Sequence, residues 1–300
     1  MIELINIGER NIECLIEGEG KNTVIIFPGM GCSIYSWMDV VNDISEYAKV
    51  IVIHRSGVGN SDENENRSTT LTASEDLFAI IKKLNINEKI ILVGHSYGGL
   101  CVQNFARLHP DIIKGIVLVD SSSVNTYKFN ELYLPISNET GSDEYYIKMW
   151  KGYSQYTKEQ LKEYIKPTLG LEELKLSRDI QEKIIDFSIS PELYKNMLSE
   201  VIDLRSTVKC INSMGEFPNV QLIILVRDYE YSLLKSIDEG GIPKEEAEKI
   251  EGLWQELSNE LKYLSNESEL REVQGSGHAI HIDRRKLVVH SIRQLIFREC

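Results

Sequence analysis

Ser96 lies in the pentapeptide Gly94-His95-Ser96-Tyr97-Gly98, which follows the apolar run 90–93 and precedes a helix-like apolar pattern. Strand, G-x-S-x-G and helix in this order are typical of a nucleophile elbow, a tight turn that holds a serine hydroxyl clear of the sheet edge. Gly94 and Gly98 suit such a turn, because a Cβ at either position would collide with the neighbouring strand or helix. The following helix would present free N–H groups that favour a developing negative charge. The pattern therefore predicts a nucleophilic serine.

A serine hydroxyl needs an adjacent base, and the base needs an acid that fixes its tautomer. His278 fits the chain order Ser, acid, His, because it follows the last apolar strand pattern in the loop Gly275-Ser276-Gly277-His278. His281 is the rival, but it stands at the entry to the closing helix, where a packing or capping role fits better. His95 would point away from the site and is interpreted as structural. We expect His278 to be the general base.

Two aspartates follow buried strand patterns and could serve as the acid. Asp120 ends the strand after the elbow, from which a carboxylate can reach His278. Asp228 comes only two residues beyond Val226, with no spacer to turn its carboxylate towards the histidine. We favour Asp120 and keep Asp228 as the alternative acid; the other aspartate would be a helix cap or a strand-end turn.

An acyl-transfer site also needs two N–H donors for the oxyanion, and losing one such donor costs about 3 kcal/mol of transition-state stabilisation. One donor should be the backbone N–H of Tyr97, the residue after the nucleophile. The other should come from the loop Pro28-Gly29-Met30-Gly31, which follows the apolar run 23–27. Because Pro28 has no N–H, Met30 is the candidate donor.

Continuous apolar strand patterns alternate with helical patterns, which predicts an α/β protein with a parallel sheet covered by helices on both faces. Residues 1–17 alternate apolar and polar around Gly8-Glu9-Arg10 and predict a hairpin at the sheet edge. Thr72 and Glu75 predict a capping box at the start of the helix before the elbow strand. The predicted parallel strands are 23–27, 50–53, 90–93, 115–119, 221–226 and 269–274.

Between residue 121 and about residue 218 the strand patterns stop and helical patterns take over. This segment holds 12 of the 24 aromatic residues of the chain. Inserted at the carboxyl end of a strand, it would cover the site as a helical lid. The expected domains are therefore a core of residues 1–120 and 219–300 and a lid of residues 121–218, with Trp150 and Tyr146 as candidate substrate-binding aromatics.

Composition narrows the class of protein. With 300 residues, 42% of them apolar, and no run of 18 apolar residues, the chain can bury a large core but is not expected to span a membrane. The first residues lack the basic region and apolar core of a signal peptide. Five scattered cysteines without CxxC spacing favour reduced thiols in the cytoplasm and predict no metal site. A net charge of −13 argues against nucleic acid and anionic membranes as partners. The sequence indicates no oligomeric state.

Taken together, the motifs resemble those of lid-bearing serine hydrolases with the α/β-hydrolase fold, from about residue 20 to residue 298 outside the lid. The resemblance implies a mostly parallel sheet with helices on both faces, a helical lid insertion, and a Ser–His–acid mechanism without a cofactor. A further pattern, Leu253-Trp254-Gln255-Glu256-Leu257 followed by residues 277–283, resembles an uncharacterised bacterial branch. The motifs are Pro28-Gly29-Met30-Gly31, the stretch 54–61, Gly94-His95-Ser96-Tyr97-Gly98-Gly99, Leu118-Val119-Asp120 and Gly275-Ser276-Gly277-His278.

The chain departs from the family pattern in three places. Pro28 stands where the family often has His, and His54 stands where it often has Asp. The usual late Gly-x-x-Asp is missing, since Asp228 occupies the place of the glycine. This last departure resembles the subset, such as haloalkane dehalogenases, that takes its acid from the strand after the elbow, and it supports Asp120. A serine nucleophile at residue 96 disfavours dehalogenase and epoxide-hydrolase chemistry.

The expected function is hydrolysis of a carboxylic ester or thioester of a small, mostly apolar substrate through an acyl-enzyme. Amide or peptide hydrolysis and C–C bond hydrolysis use the same residues, and the choice depends on how the lid shapes the pocket. A hypothesis of another class is a ligand receptor that keeps the hydrolase fold with little turnover.

Overall fold

The structure is a computed structural model that describes residues 1–64, 69–170 and 173–298. The described residues contain one eight-stranded sheet with the spatial order β1-β2-β4-β3-β5-β6-β7-β8. The β1–β2 and β2–β4 pairs are antiparallel, and all the other pairs are parallel. The strands are β1 (Ile2–Asn6), β2 (Asn11–Glu17), β3 (Thr23–Phe27), β4 (Lys49–Ile53), β5 (Ile90–His95), β6 (Ile113–Val119), β7 (Gln221–Arg227) and β8 (Ser268–Val273).

Helices follow most of the strands and cover the sheet. Those outside residues 121–218 are α1 (Met38–Ile44), α2 (Thr70–Lys83), α3 (Tyr97–Leu108), α10 (Tyr229–Asp238), α11 (Lys244–Glu260), α12 (Ile280–Asp283) and α13 (Arg285–Phe297). Those within residues 121–218 are α4 (Asn138–Gly141), α5 (Asp143–Tyr153), α6 (Lys158–Ile165), α7 (Arg178–Ser188), α8 (Pro191–Ile202) and α9 (Leu204–Ser213).

Alternate residues of the parallel strands supply two separate cores. In β3, Ile25 and Phe27 join the cluster that contains the buried residues of α2 and α3. Val24 and Ile26 point to the other face and pack with the buried residues of α1 and α13. Because both faces of the strands are buried, their sequences are continuously apolar and not alternating. The predicted mostly parallel sheet with helices on both faces is confirmed.

The predicted capping box at Thr72 and Glu75 is wrong. Helix α2 begins at Thr70, with Thr69 as its N-cap and Thr72 as the third helical residue. The Thr69 hydroxyl accepts from the Thr72 N–H at 3.3 Å, and the Thr72 hydroxyl accepts from the Thr69 N–H at 2.9 Å. A threonine thus makes the reciprocal bond that the sequence pattern assigned to a glutamate.

Between β6 and β7, the described residues form helices and turns only. Helices α5 and α8 pack against each other, and an apolar cluster forms around Trp150, Leu161 and Tyr194. Met30 of the loop after β3 packs against this cluster. The segment 121–218 is called the insertion below; its function as a lid stays a prediction.

The chemistry-bearing residues come together because parallel strands end at the same edge of the sheet. The loops after β3, β4, β5, β6, β7 and β8 therefore meet at one edge, beside the insertion. Within the described ranges, no helix combines the length and the apolar character needed to cross a membrane. Cys14, Cys32, Cys101 and Cys210 are free thiols, and Cys300 lies outside the described residues.

Candidate active site

Ser96 occupies a strained turn between β5 and α3. Its backbone angles are φ 52° and ψ −123°, a conformation that residues other than glycine rarely adopt. The turn is packed tightly, because a Cβ on Gly94 would lie 2.7 Å from the Gly98 carbonyl oxygen and one on Gly98 would lie 2.2 Å from the Phe27 carbonyl oxygen. The Ser96 side chain makes no capping hydrogen bond to α3. Strain is therefore stored where the hydroxyl is presented.

Asp120 and His278 form a close pair although they are 158 residues apart in the chain. The His278 Nδ1 lies 2.6 Å from Oδ2 of Asp120. Asp120 is fully buried, while 43% of the His278 side chain is exposed. Because a carboxylate can only accept, Nδ1 carries the hydrogen, and Nε2 of the neutral ring keeps a lone pair. This is the tautomer that a general base requires.

Further donors hold the Asp120 carboxylate in place. Its Oδ1 accepts from the backbone N–H of Arg227 at 3.1 Å and from Nε1 of Trp254 at 2.9 Å. Burial alone would raise the pKa of Asp120, but the hydrogen bond from His278 and the charge of Arg227 outweigh burial and lower it. Asp120 is therefore ionised at neutral pH.

The loop that carries His278 lies directly against the elbow. His95 Nε2 donates to the backbone carbonyl oxygen of His278 at 2.9 Å, and the two ring centroids are 4.7 Å apart. Burial lowers the pKa of His95 to about 3, so this imidazole stays neutral. Within the part of the chain that the structure describes, the Ser96 hydroxyl forms no hydrogen bond. Proton transfer from Ser96 to His278 therefore stays a prediction.

Asp228 lies in a different environment from Asp120. One carboxylate oxygen caps α10 by accepting from the Tyr231 N–H at 3.1 Å. The other accepts from the Gly275 N–H at 2.7 Å. Both carboxylate oxygens of Asp228 therefore accept hydrogen bonds from backbone N–H groups, and one of these bonds anchors the loop that leads to His278.

His281 is buried behind the site. Its ring stacks on Trp37 with the centroids 4.2 Å apart, and it lies edge-on to His95 at 4.8 Å. Burial lowers the pKa of His281 well below its ordinary value, so the ring is neutral. This geometry fits a packing role.

The candidate oxyanion donor Tyr97 directly follows Ser96, and the loop that carries the other candidate, Met30, lies against the elbow. Tyr97 is the first residue of α3, so its backbone N–H has no acceptor in the preceding turn of that helix. The loop with Met30 touches the elbow, since a Cβ on Gly29 would lie 3.1 Å from the Ser96 Cβ. Arg55 fixes this loop by donating to the Pro28 carbonyl at 2.6 Å and to the Gly29 carbonyl at 3.3 Å.

Arg55 also joins this loop to the insertion. Its Nε and Nη2 donate to the two carboxylate oxygens of Glu200 in α8, at 2.6 Å and 3.0 Å, and both side chains are buried. Asn196, one turn earlier in α8, donates to the Ser56 carbonyl at 2.8 Å. Phe187 of α7 stacks on His54, with centroids 5.2 Å apart. The insertion is therefore docked on the loops after β3 and β4.

Tyr146 and Trp150 stack on each other within the insertion, with ring centroids 5.1 Å apart. Trp150 belongs to the apolar cluster of the insertion, and Tyr146 and Met30 both pack against that cluster. Trp150 is 8% exposed, so most of its ring packs the insertion itself. Substrate binding by these two residues stays a prediction.

Sequence reasoning missed the side chains that surround Asp120. Arg227 precedes Asp228, and no motif in the sequence marks it as a partner of Asp120. Trp254 and Glu251 lie in α11, and the pattern Leu253–Leu257 predicts no role for either side chain. Among the described residues, no group of three or more His, Cys, Asp or Glu side chains could hold a metal ion.

Comparisons with known proteins agree on the architecture. A family model described as alpha/beta hydrolase fold matches residues 22–168. Coelenterazine h 2-monooxygenase of Renilla reniformis is 35% identical over 106 residues, which are 35% of this chain and 34% of that protein. Proline iminopeptidase of Saccharolobus solfataricus is 28% identical over 120 residues, 39% of this chain and 38% of that protein.

Among solved structures, a thermophilic esterase from Thermogutta terrifontis superimposes with a TM-score of 0.61 and 18% identity, over 98% of this chain and 97% of that chain. At this identity the likeness shows the fold alone. The matches span about a third of the length of these two curated relatives. The names of these similar proteins include a monooxygenase, a peptidase and an esterase, so the chemistry must be argued from the site.

Proposed function

We propose that the chain, whose residues 22–168 match the alpha/beta hydrolase family model, is a serine hydrolase of that superfamily that cleaves a carboxylic ester or thioester of a small, mostly apolar substrate. The observation that carries the proposal is the 2.6 Å contact between His278 Nδ1 and Asp120 Oδ2, beside a serine in a strained elbow. The arrangement offers a nucleophile, a correctly protonated base and a buried acid at one edge of the sheet.

Acylation would begin when His278 Nε2 takes the proton of Ser96 Oγ as this oxygen attacks the substrate carbonyl carbon. The tetrahedral oxyanion would rest on the backbone N–H groups of Tyr97 and Met30. When the intermediate collapses, the bond to the leaving oxygen or sulfur breaks and His278 returns the proton to the leaving group. Asp120 stabilises the imidazolium in between and holds its orientation.

Deacylation would repeat these steps with water as the nucleophile. His278 takes a proton from the water as its oxygen attacks the acyl carbon, and it then returns the proton to Ser96 Oγ. The exposure of the His278 side chain, 43%, leaves a path for water to Nε2.

The preference for a small, apolar substrate rests on the surroundings of the oxyanion loop. Met30 packs against the apolar cluster of the insertion. Arg55, which donates to two carbonyls of this loop, is held by Glu200. A substrate carboxylate would therefore compete with Glu200 for Arg55, whereas a neutral acyl group would not.

The test is turnover of p-nitrophenyl esters from acetate to octanoate and of an acyl thioester, by the full chain and by Ser96→Ala. We expect the variant to lose about a millionfold in kcat. Ser213→Ala is the matched control, because Ser213 is exposed at the end of α9 and should leave turnover unchanged. A fluorophosphonate should label the wild-type protein at Ser96 and leave Ser96→Ala unlabelled.

Turnover that survives in Ser96→Ala, or absence of both turnover and labelling in the wild type, would contradict the proposal. The same panel extended to p-nitroanilides separates ester from amide hydrolysis. Tight binding of an ester product analogue with no turnover would favour a ligand receptor.

A further inference from the structure

Three side chains outside the predicted triad enclose the Asp120–His278 pair. Arg227 ends β7, and its guanidinium Nη1 lies 3.5 Å from Asp120 Oδ2, the oxygen that also binds His278. Trp254 of α11 donates from Nε1 to Asp120 Oδ1 at 2.9 Å. Glu251 of the same helix binds Arg227 through both carboxylate oxygens, at 2.9 Å and 2.8 Å.

The position of Arg227 creates an electrostatic problem for a general base. A positive charge beside Asp120 weakens the stabilisation that the carboxylate gives to an imidazolium, so His278 would bind a proton less strongly. The bidentate carboxylate of Glu251 lies on the far side of the guanidinium and balances this charge. Arg227 is 9% exposed and Glu251 is 3% exposed, so water screens the pair little.

Trp254 completes the enclosure. Glu251 and Trp254 are three residues apart in α11 and so share one face of this helix. The Arg227 guanidinium lies 4.2 Å from the centroid of the Trp254 ring, and that ring stands at 90° to the His278 ring with centroids 5.4 Å apart. One helix face thus contacts the acid, the histidine and the arginine.

We propose that Arg227, Glu251 and Trp254 are positioning residues that set the proton affinity of His278: Trp254 locks the Asp120 carboxylate, and Glu251 balances the Arg227 charge that would otherwise weaken it. The inference deepens the proposed function and rests on the role given there to His278.

Other charged or titratable groups also face His278 or its loop. His95 and His281 stay neutral because burial lowers their pKa values. Asp228 and Asp283 accept from the backbone N–H groups of Gly275 and Gly277 and so act on the loop rather than on the ring. Asp120, Arg227 and Glu251 are therefore the charges through which the base can be tuned.

The experiment compares Glu251→Gln, Arg227→Met and the double variant in the full chain. The readouts are the midpoint of the His278 imidazole titration, followed by NMR, and the lower midpoint of the kcat/KM pH profile. Glu251→Gln leaves the Arg227 charge unbalanced, so both midpoints should fall, by about one pH unit for an unscreened charge at this range. Arg227→Met removes that charge, so both midpoints should rise.

The double variant is the control for folding and for charge balance. It removes both charges together, so its midpoints should return to within a few tenths of a pH unit of the wild type. Opposite shifts in the single variants that cancel in the double variant are the result expected when the Glu251 charge balances the Arg227 charge. If the two single variants move the midpoints in the same direction, or if neither moves them, the inference is overturned.

Trp254→Phe tests the carboxylate lock without changing any charge. It keeps an aromatic ring under Arg227 but removes the N–H donor, so kcat should fall about tenfold with little change in KM. If a folded Trp254→Phe protein kept the kcat of the wild type, Trp254 would have no role in positioning the Asp120 carboxylate.

The NMR readout separates this inference from the proposed function, since it needs no substrate. Opposite shifts in the two single variants, without any ester turnover, would support the charge balance and reject the proposed hydrolase activity. Ester turnover together with titration midpoints that stay the same in every variant would support the hydrolase activity and overturn the charge balance.

Discussion

At the scale of single residues, backbone strain coincides with the candidate chemistry. Among the described residues, Asn85, Ser96, Asp120 and Lys166 are the non-glycine residues with positive φ, and two of these four supply the proposed nucleophile and acid. Such conformations persist only where the surrounding structure holds them. At Ser96 the glycines of the elbow do this, and at Asp120 the backbone N–H bonds to the Leu225 carbonyl at 2.8 Å.

Asp120→Asn tests the acid directly. The amide keeps the shape of the carboxylate but can donate to His278 Nδ1, which selects the wrong tautomer and removes the charge that stabilises the imidazolium. We expect kcat for the best ester of the panel to fall about ten-thousandfold, as in other Ser–His–acid sites. The measurement is steady-state kinetics at pH 8, with circular dichroism to verify folding.

Asp228→Asn is the matched comparison for the same acid. Because asparagine caps a helix about as well as aspartate, the cap of α10 should be largely kept, and kcat should fall far less than in Asp120→Asn. A larger loss of kcat in Asp228→Asn than in Asp120→Asn would reverse the two assignments.

The residue scale also shows what the sequence can predict. The elbow and the histidine loop are local patterns, so a single stretch of chain carries the prediction. Asp120 and Asp228 both end apolar strands; the missing spacer before Asp228 favours Asp120, but the contacts of each carboxylate are visible only in three dimensions. Arg227 and Trp254 contact Asp120 although they lie 107 and 134 residues from it along the chain. No rule of sequence spacing predicts contacts over such separations.

At the scale of elements, helix α8 holds the insertion against the core through one buried and one exposed ion pair. The buried pair joins Arg55 to Glu200, and Arg55 also holds the carbonyls of the oxyanion loop. The exposed pair joins Lys195 to Glu63 with both side chains more than half accessible. The position of the insertion and the geometry of the oxyanion loop are thereby coupled through one guanidinium.

Glu200→Gln should break this coupling. It leaves the buried charge of Arg55 only partly compensated, which destabilises the fold by up to about 3–5 kcal/mol, the cost of removing one partner of a buried pair. We expect faster limited proteolysis within residues 121–218 and a lower kcat, because the oxyanion loop loses its support.

Lys195→Gln, on the same helix, is the control, since an exposed ion pair contributes little. Its proteolysis rate and its kcat should match those of the wild type. Equal behaviour of Glu200→Gln and Lys195→Gln would show that the buried pair does not hold the insertion.

The element scale also marks where sequence patterns lose precision. The parallel strands are recovered to within two residues. In β3 to β7, burial on both faces makes most of each strand an apolar run, whereas β8 is partly exposed and mixes polar with apolar residues. The start of α2 is missed, since a Thr–Thr capping box satisfies the same N–H groups as a Thr–Glu pair. Helix α10 begins at the Asp228 cap and packs against α11.

At the scale of the whole molecule, acid stability depends on histidines that are buried in the neutral form. Burial lowers the pKa values of His54, His95 and His281. Below pH 6.5, the ordinary histidine pKa, these histidines bind protons in the unfolded chain but stay neutral in the folded chain. Stability from these three groups is therefore complete above about pH 6.5 and is lost as the pH falls.

His281→Phe isolates one of these contributions. The phenyl ring can keep the stack on Trp37, and neither ring nitrogen of His281 has a hydrogen-bond partner within the described ranges, so no such bond is lost. A neutral buried histidine loses about 1.4 kcal/mol of stability per pH unit below 6.5, so the variant should gain about 2 kcal/mol on the wild type between pH 7 and pH 5. Urea unfolding at both pH values measures this difference. His290→Phe, at an exposed position of α13, should show no such gain; an equal gain in both variants would mean that apolar substitution, and not burial of a neutral imidazole, sets the acid stability.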